Sequence, residues 1–306
     1  MDELVETKFL EPPVVARLMR HFLHARLPME GNVSGHHKSP HRGASVEFAE
    51  YRKYVPGDDV RRLDWRVYGR TDRFYMREFE ADTNLRCYLV LDSSASMGFT
   101  ENGQSKLDYA RRLLATLAYL VVQQGDAVGF QCFGDKAVHD VPPRRNPAHL
   151  RHIFKVLAGV EPKGETALLQ TLHDFAEKVK QRALVIIFSD FFCDPEGLRN
   201  CFQHLHFQKH DFAVFHLLAR SELEFKFDRP VRFLDLESPG SSLLAEPAII
   251  REHYLEQVRN YLSSMQLSCN QFNADYRRVL LDSGYEKVLA DFLGERARNK
   301  TFTRAS

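Results

Sequence analysis

Asp92, Ser94 and Ser96 stand in "YLVLDSSASMGF" (88 to 99), where an apolar run breaks into a carboxylate and then alternate hydroxyls. Residues two apart on a tight loop can turn their oxygens toward one point, which is how a chain builds part of a cation site. Asp190 closes a second apolar run, "IIFSD", and Thr166 stands in "KGETALLQTL" at the expected start of a helix. Two carboxylates and a few neutral hydroxyls are hard oxygen ligands, suited to Mg²⁺ first, with Mn²⁺ or Ca²⁺ as alternatives, and unsuited to zinc. Asp92, Ser94, Ser96, Thr166 and Asp190 fill fewer positions than an octahedron offers, which leaves room for water or for an acidic side chain from a partner. The ordinary alternative is that Ser94 and Thr166 only cap helices and Asp190 only closes a turn.

These residues need elements that bring their loops to one rim. From Leu85 onward, apolar strands alternate with helical stretches, the pattern of a mostly parallel α/β sheet. "LRCYLVLD" (85 to 92), "DAVGFQCF" (126 to 133), "ALVIIFSD" (183 to 190) and "DFAVFHLL" (211 to 218) read as strands, and "KAVHDV" (136 to 141) as a hairpin partner of the second. Helices are expected at 106 to 125, 147 to 160, 167 to 180 and 195 to 208, along a stripe from Ile250 to Met265, and at about 284 to 293. A polar hairpin is expected in "FKFDRPVRFLDLE", and a further strand in "DYRRVLLD" (275 to 282). Sites in such sheets form outside the carboxyl ends of the strands, so Asp92 and Asp190 emerge at one rim.

Upstream, apolar positions from Val14 to Leu23 repeat at helical spacing, and with Arg17, Arg20 and Arg26 they form a weakly basic amphipathic helix that ends at Pro28. A Gly/Ser/Pro-rich stretch from 31 to 45 follows, and its His36, His37 and His41 read as a solvated basic loop. Residues 46 to 84 are dense in charged and aromatic side chains, with a turn at Pro56-Gly57-Asp58. "RFYMREFEA" (73 to 81) reads as a strand placed to pair with the one at 85 to 92. So short a segment cannot bury a core alone, and Trp65, Phe74 and their neighbours call for apolar cover. Arg52, Asp58, Asp59, Arg61, Arg62 and Asp64 read as a structural ion-pair and turn network. Among them, Arg52, Asp58, Asp59 and Arg61 are also candidates to touch a partner, as is Glu165.

The order D-x-S-x-S, then threonine, then aspartate, each on the expected strand end or helix start, resembles a von Willebrand factor A-type domain. Asp92, Ser94, Ser96, Thr166 and Asp190 match its metal-ion-dependent adhesion site, and Glu165 stands where many members carry a second glycine. "EFAEYRKYVPGDDVRRLDW" (47 to 65), followed by "EFEAD" and "LDSSASM", is similar to the bacterial family called domain of unknown function fifty-eight, whose members join such a charged segment to a von Willebrand A-like domain. The resemblance covers most of residues 34 to 295. It implies a Mg²⁺-dependent protein-binding module that partners a MoxR-class AAA+ ATPase in chaperone-like maturation or assembly of other proteins.

The fold class is thus α/β, a mostly parallel central sheet flanked by helices (von Willebrand A or Rossmann-like), with a charged β-rich N-terminal segment packed on it. The expected divisions are an N-terminal helix and linker (1 to 33), the charged segment (34 to 84), the A-like domain (85 to 295) and a polar tail (296 to 306).

In 306 residues, 42 Lys and Arg nearly balance 41 Asp and Glu, which argues against nucleic acid as the main partner. Five cysteines without a C-x-x-C pair point to a reducing compartment, and no apolar run approaches bilayer length, so a cytoplasmic location is expected. Neither a phosphate-cradling glycine motif nor a nucleophile elbow occurs. Membrane attachment by the basic helix 14 to 27 is limited by its few cations, Arg17, Arg20 and Arg26, and two further function classes stay open. One is non-catalytic recognition through the cation; the other is a divalent-metal-dependent hydrolase, for which Asp135 and Glu165 are the nearby candidate bases.

Overall fold

The computed structural model describes residues 9–26, 37–38, 47–53, 64–80, 82–83, 85–134, 139–237 and 240–302. The chain divides into two compact units, residues 27–85 and the remainder. In chain order the elements are α1 (Pro12–Leu18), β1 (Glu47–Lys53), α2 (Trp65–Thr71), β2 (Tyr75–Glu80), β3 (Arg86–Asp92), α3 (Lys106–Gln123), β4 (Ala127–Phe133), β5 (His139–Arg144), α4 (Pro147–Gly159) and α5 (Leu168–Lys178). They continue with β6 (Leu184–Ser189), α6 (Pro195–Phe207), β7 (Asp211–Leu218), α7 (Arg220–Glu224), β8 (Val231–Leu234), β9 (Ser242–Ala245), α8 (Pro247–Gln271), β10 (Asp275–Leu280) and α9 (Tyr285–Phe302).

The larger unit is built on a six-stranded sheet in the order β10-β7-β6-β3-β4-β5, parallel except for the antiparallel edge strand β5. Its inner strands are buried on both faces, which is why β4, β6 and β7 read as continuous apolar runs rather than alternating ones. The chain leaves β3 toward β4 on one side and later returns to β6 on the other. The carboxyl ends of β3 and β6 therefore flank the point where strand order reverses, the usual place for a ligand in an open α/β sheet.

One face is covered by α5, α6 and α8, whose Leu172, Phe175, Leu198, Phe202 and Met265 join Val185, Ile187 and Val214 of the sheet in one core cluster. Helices α3, α4 and α9 pack together with α1 as a second group. At the amino ends of β7 and β10, Arg296 of α9 is 1% exposed and bonds both oxygens of Asp211 at 2.8 and 3.0 Å. The same guanidinium reaches Asp275 at 2.7 Å. The last helix, expected at about 284 to 293, thus continues through residues 296 to 302.

Helix α1 is shorter than its periodicity implied. Pro12 starts it, and only Val14, Val15 and Leu18 of the expected stripe are buried within it. Those three side chains pack the helix onto the larger unit, each worth about 1.5–3 kcal/mol. Arg17 ties it to Glu286 of α9 at 2.6 Å, so its apolar face is taken within the fold.

Within residues 27–85, β2 pairs antiparallel with β1, from Lys53↔Tyr75 to Glu47↔Glu80 with a bulge between Phe48 and Glu50. This corrects the expected pairing of "RFYMREFEA" with the strand at 86–92: both edges of β3 are already taken, by β4 and β6. Helix α2 was not anticipated. Asp64 caps it, accepting from the backbone N–H groups of Arg66 (2.9 Å) and Val67 (3.3 Å). Its place in the expected ion-pair network is therefore, at least in part, a capping role. Tyr68 stacks on Phe74 at 4.5 Å, and Trp65 is 60% exposed.

Candidate functional site

The loop after β3 folds back on itself through local hydrogen bonds. Ser94 N–H donates to Asp92 Oδ1 at 2.8 Å, an Asx-type turn that a serine-rich loop makes readily. Residues Ala95–Gly98 then form a short 3₁₀ turn. Ser93 Oγ donates to Phe133 O at the end of β4, 2.8 Å away. Gly134 is required beside it, because a Cβ there would meet Ser93 Oγ at 2.8 Å.

Two backbone bonds clamp the 161–166 loop against this turn: Lys163 N–H to Ser93 O and Ala95 N–H to Gly164 O, both 2.9 Å. Gly164 takes φ of 74°, a left-handed conformation that glycine adopts without strain. Thr166 is thereby brought to the rim. It sits just before α5, whose N-cap is Ala167, so it does not cap the helix. Its Oγ1 donates to Asp92 Oδ2 at 3.3 Å.

The third loop begins at Asp190, directly after β6. The next residue, Phe191, has φ of 53°, a conformation that costs a bulky side chain of order 1–3 kcal/mol and persists only where its surroundings enforce it. Here Phe191 N–H is held by Ser189 Oγ at 2.8 Å, its carbonyl accepts from Tyr261 Oη, and its ring is fully buried. The strained turn aims the Asp190 carboxylate back toward the rim.

The five residues singled out from sequence are thus brought together. Ser94 Oγ lies 3.0 Å from Ser96 Oγ, Ser96 Oγ donates to Asp190 Oδ1 at 3.2 Å, and Thr166 Oγ1 reaches Asp92. Asp92, Ser94, Ser96 and Asp190 are all buried. Burial, and next the neighbouring Asp190 carboxylate, push Asp92 up to about 6, against the hydrogen bonds from Ser189 and Ser94 that favour its ionised form. Such a pair of close buried carboxylates calls for positive charge between them.

Three residues of the site were not anticipated. Ser189 donates to Asp92 Oδ2 at 2.6 Å; a lone serine ending an apolar strand was its only signal. Lys106, the first residue of α3, sends its ammonium to Asp190 Oδ2 (2.9 Å) and Glu222 Oε1 (2.6 Å). A lysine at a helix start opposes the helix dipole, and here the two carboxylates offset that unfavourable placement. Glu237, in the connection after β8, lies near Ser96, Thr166 and Asp190. Burial raises its pKa, with Ser96 and Thr166 opposing and the Asp190 and Asp235 charges adding to the rise.

Of the remaining candidates, Glu165 is exposed beside Thr166, and Arg52 lies on β1. Asp58, Asp59, Arg61, Arg62, Asp135, His36 and His41, with the turn at 56 to 58, lie outside the described residues.

The donor set fits a hard divalent cation: two carboxylates and three hydroxyls, from three loops, linked by contacts of 3.0 to 3.3 Å. Among the described residues no three His, Cys, Asp or Glu side chains are placed to hold a metal by themselves, so a cation here would need the hydroxyls as ligands. Beside the rim, Phe192 is 54% exposed over Lys106, and an apolar groove of about 460 Å³ opens along Cys193, Leu218, Tyr254 and Leu262. No helix among the described residues is long and apolar enough to cross a membrane.

The uncharacterized protein Rv1480 of Mycobacterium tuberculosis is 31% identical over 184 residues, 59% of this chain and 58% of that protein. The uncharacterized protein YeaD of Bacillus subtilis is 28% identical over 130 residues, 42% of this chain and 30% of that protein. The chain therefore covers a little over half the length of the first of these relatives and less of the second. Among solved structures, the hypothetical protein BatB of Bacteroides thetaiotaomicron aligns with a TM-score of 0.46 at 16% identity, over 70% of this chain and 100% of that one. The SpRpn10 VWA domain aligns at 0.42 and 8% identity, over 69% of this chain and 95% of that one. A family model matches residues 50–262, and the chain belongs to that family, described as protein of unknown function DUF58.

Proposed function

We propose that this chain is a metal-dependent protein-binding module, and that it docks a MoxR-class AAA+ ATPase in the maturation or assembly of other proteins. The observation that carries the reading is the convergence of Asp92, Ser94, Ser96, Thr166 and Asp190 at the point where strand order reverses. Mg²⁺ held by these oxygens supplies an open coordination position for a carboxylate of the partner, and the apolar flank at Phe192 supplies contact area around it.

Recognition is favoured over hydrolysis by what surrounds the carboxylates. His216 is buried, held by Tyr276 Oη at 2.8 Å and pushed down to about 3 by burial and the Lys106 charge. It is in no position to work as a base at the rim. Glu165 is exposed and points to no activated neighbour among the described residues.

Co-purification with a tagged MoxR-class ATPase, in Mg²⁺ and in EDTA, tests this. Capture in Mg²⁺ that is lost in EDTA and in Asp92→Ala is the expected result. Metal-dependent turnover of phosphoester, peptide or nucleotide substrates that disappears in Asp92→Ala, without capture, replaces this reading with the hydrolase.

A further inference from the structure

The apolar groove beside the rim is walled by separate segments of the larger unit. The loop after β6 supplies Phe192, β7 ends in it at Leu218, α7 supplies Leu223, and α8 lays Tyr254, Val258 and Leu262 along it at intervals of four. Residues four apart share one face of a helix, so α8 turns a continuous apolar stripe into the groove. Of the stripe from Ile250 to Met265, only Met265 is buried, which leaves Tyr254, Val258 and Leu262 half-buried. At about 460 Å³ the groove lies within the range of about 300–1,000 Å³ for sites that hold a ligand.

Most of its polar groups are already bonded within the fold. Tyr254 Oη donates to Glu222 O at 2.9 Å, Tyr261 Oη donates to Phe191 O, and His216 Nδ1 lies 2.8 Å from Tyr276 Oη. Glu222, the one carboxylate on the groove, has Oε1 on the Lys106 ammonium at 2.6 Å and accepts from Ala219 N–H through Oε2 at 2.7 Å. An occupant is therefore asked for bulk and not for charge. Charge lies at the Phe192 end, where the Lys106 ammonium is 4.8 Å from the centre of the Phe192 ring and 2.9 Å from Asp190 Oδ2. Phe192 follows Asp190 by two residues, so the groove begins next to the loop that carries a candidate cation ligand. A dication at the rim calls for a carboxylate, and the groove calls for a neutral apolar group. A segment complementary to both carries the two within a residue or two of each other. We propose that the groove takes a bulky apolar side chain, Phe or Leu, of the protein partner, carried next to the acidic residue that meets the ion. The inference rests on the metal-site reading above for the acidic residue and on the groove's own lining for the apolar one.

The probes are three blocked peptides, acetyl-Gly-Asp-Phe-Gly-amide and its Asp-Ala and Asn-Phe versions, titrated into the full chain with Mg²⁺ and read by methyl NMR. The expected result is that the Asp-Phe peptide binds and shifts the Leu218, Val258 and Leu262 methyls, while the Asp-Ala peptide binds about tenfold weaker and leaves those methyls unmoved. Phe192→Ala, at an exposed position, should lose most of that preference with Mg²⁺ affinity unchanged. Equal binding of the Asp-Phe and Asp-Ala peptides, or binding of neither while the chain holds Mg²⁺, overturns the role of the groove and leaves the metal site intact. Shifts of the same methyls with protein concentration alone place a second copy of this chain in the groove and overturn the partner's side chain there. An Asn-Phe peptide that binds as tightly as Asp-Phe, with the same methyl shifts and in EDTA as well, keeps the groove and removes the metal reading.

Discussion

Lys106 Nζ lies 2.9 Å from Asp190 Oδ2, with the two side chains 0% and 1% exposed, and the same ammonium reaches Glu222 Oε1 at 2.6 Å. Asp190 thus presents one oxygen to a fixed internal cation and the other, Oδ1, to Ser96 and the rim. The lysine joins the start of α3 to the loop after β6 and to α7, three segments far apart in sequence. It also partly neutralises a carboxylate that otherwise faces Asp92 in a buried site.

Removing that ammonium should be costly. Breaking a buried charge pair from one side typically costs about 3–5 kcal/mol, because the remaining carboxylate stays desolvated. Lys106→Met is expected to unfold at lower denaturant concentration by about that amount. Added Mg²⁺ should recover more stability in the variant than in the unaltered protein, since Asp190 then lacks any other cation. Urea titration with and without Mg²⁺ reads both effects; an equal Mg²⁺ increment in the two proteins contradicts the shared role of ammonium and metal.

Gly134 is expected to tolerate no side chain. Its Cβ would meet Ser93 Oγ at 2.8 Å, and Ser93 is held to Phe133 O and to Lys163 N–H. Gly134→Ala should therefore displace the first loop, at a cost of about 1–3 kcal/mol, and weaken Mg²⁺ binding several-fold. A melt and a Mg²⁺ titration on the one variant check the two consequences.

Acid stability should depend on His210, which is 2% exposed and pushed down to about 4 by burial. In the unfolded chain the ring protonates near 6.5, so the folded state binds fewer protons between those values. Stability from this group is full above about pH 6.5 and is lost as pH falls toward 4, about 2 kcal/mol of it by pH 5. His210→Phe should flatten the dependence of unfolding free energy on pH between 7 and 5 by that amount. An unchanged slope means that His210 is solvated in the folded protein.

Arg296 gives the control at the opposite end of the sheet. Its guanidinium binds Asp211 and Asp275 at the amino ends of β7 and β10, remote from the rim at the carboxyl ends. Arg296→Met should destabilise by about 3–5 kcal/mol and leave Mg²⁺ affinity unchanged where the protein is folded. Calorimetry below the melting transition tests the separation of stability from binding.

Most of the large sheet was legible in the sequence because its strands are buried on both faces. "DFAVFHLL" is a strand at 211–218 as expected, since no alternation was needed to recognise it. The five rim residues were legible for a different reason: each sits at the end of such a strand or just before a helix, so the topology alone sets their common side. Lys106, Ser189 and Glu237 were hidden because what they touch lies in other elements. A lysine at the head of an amphipathic helix reads as solvated until Asp190 and Glu222 are seen beside it, and a glutamate in a hairpin connection reads as exposed until Ser96 and Thr166 are seen near it. The pairing of 75–80 was misread because a short connection favours neighbours in sequence, whereas β3 has no free edge.

Asp92, Ser94, Ser96, Thr166 and Asp190 are proposed to hold one divalent cation. Isothermal titration with Mg²⁺ on the unaltered chain and on Asp92→Ala, Asp190→Ala, Ser94→Ala and Thr166→Ala tests it most directly. A single site per chain is expected, weakened several-fold by loss of a hydroxyl and abolished by loss of Asp92, because a charged ligand holds a dication more strongly than a neutral one. Equal Mg²⁺ binding by the unaltered chain and Asp92→Ala, or none by the unaltered chain, contradicts it.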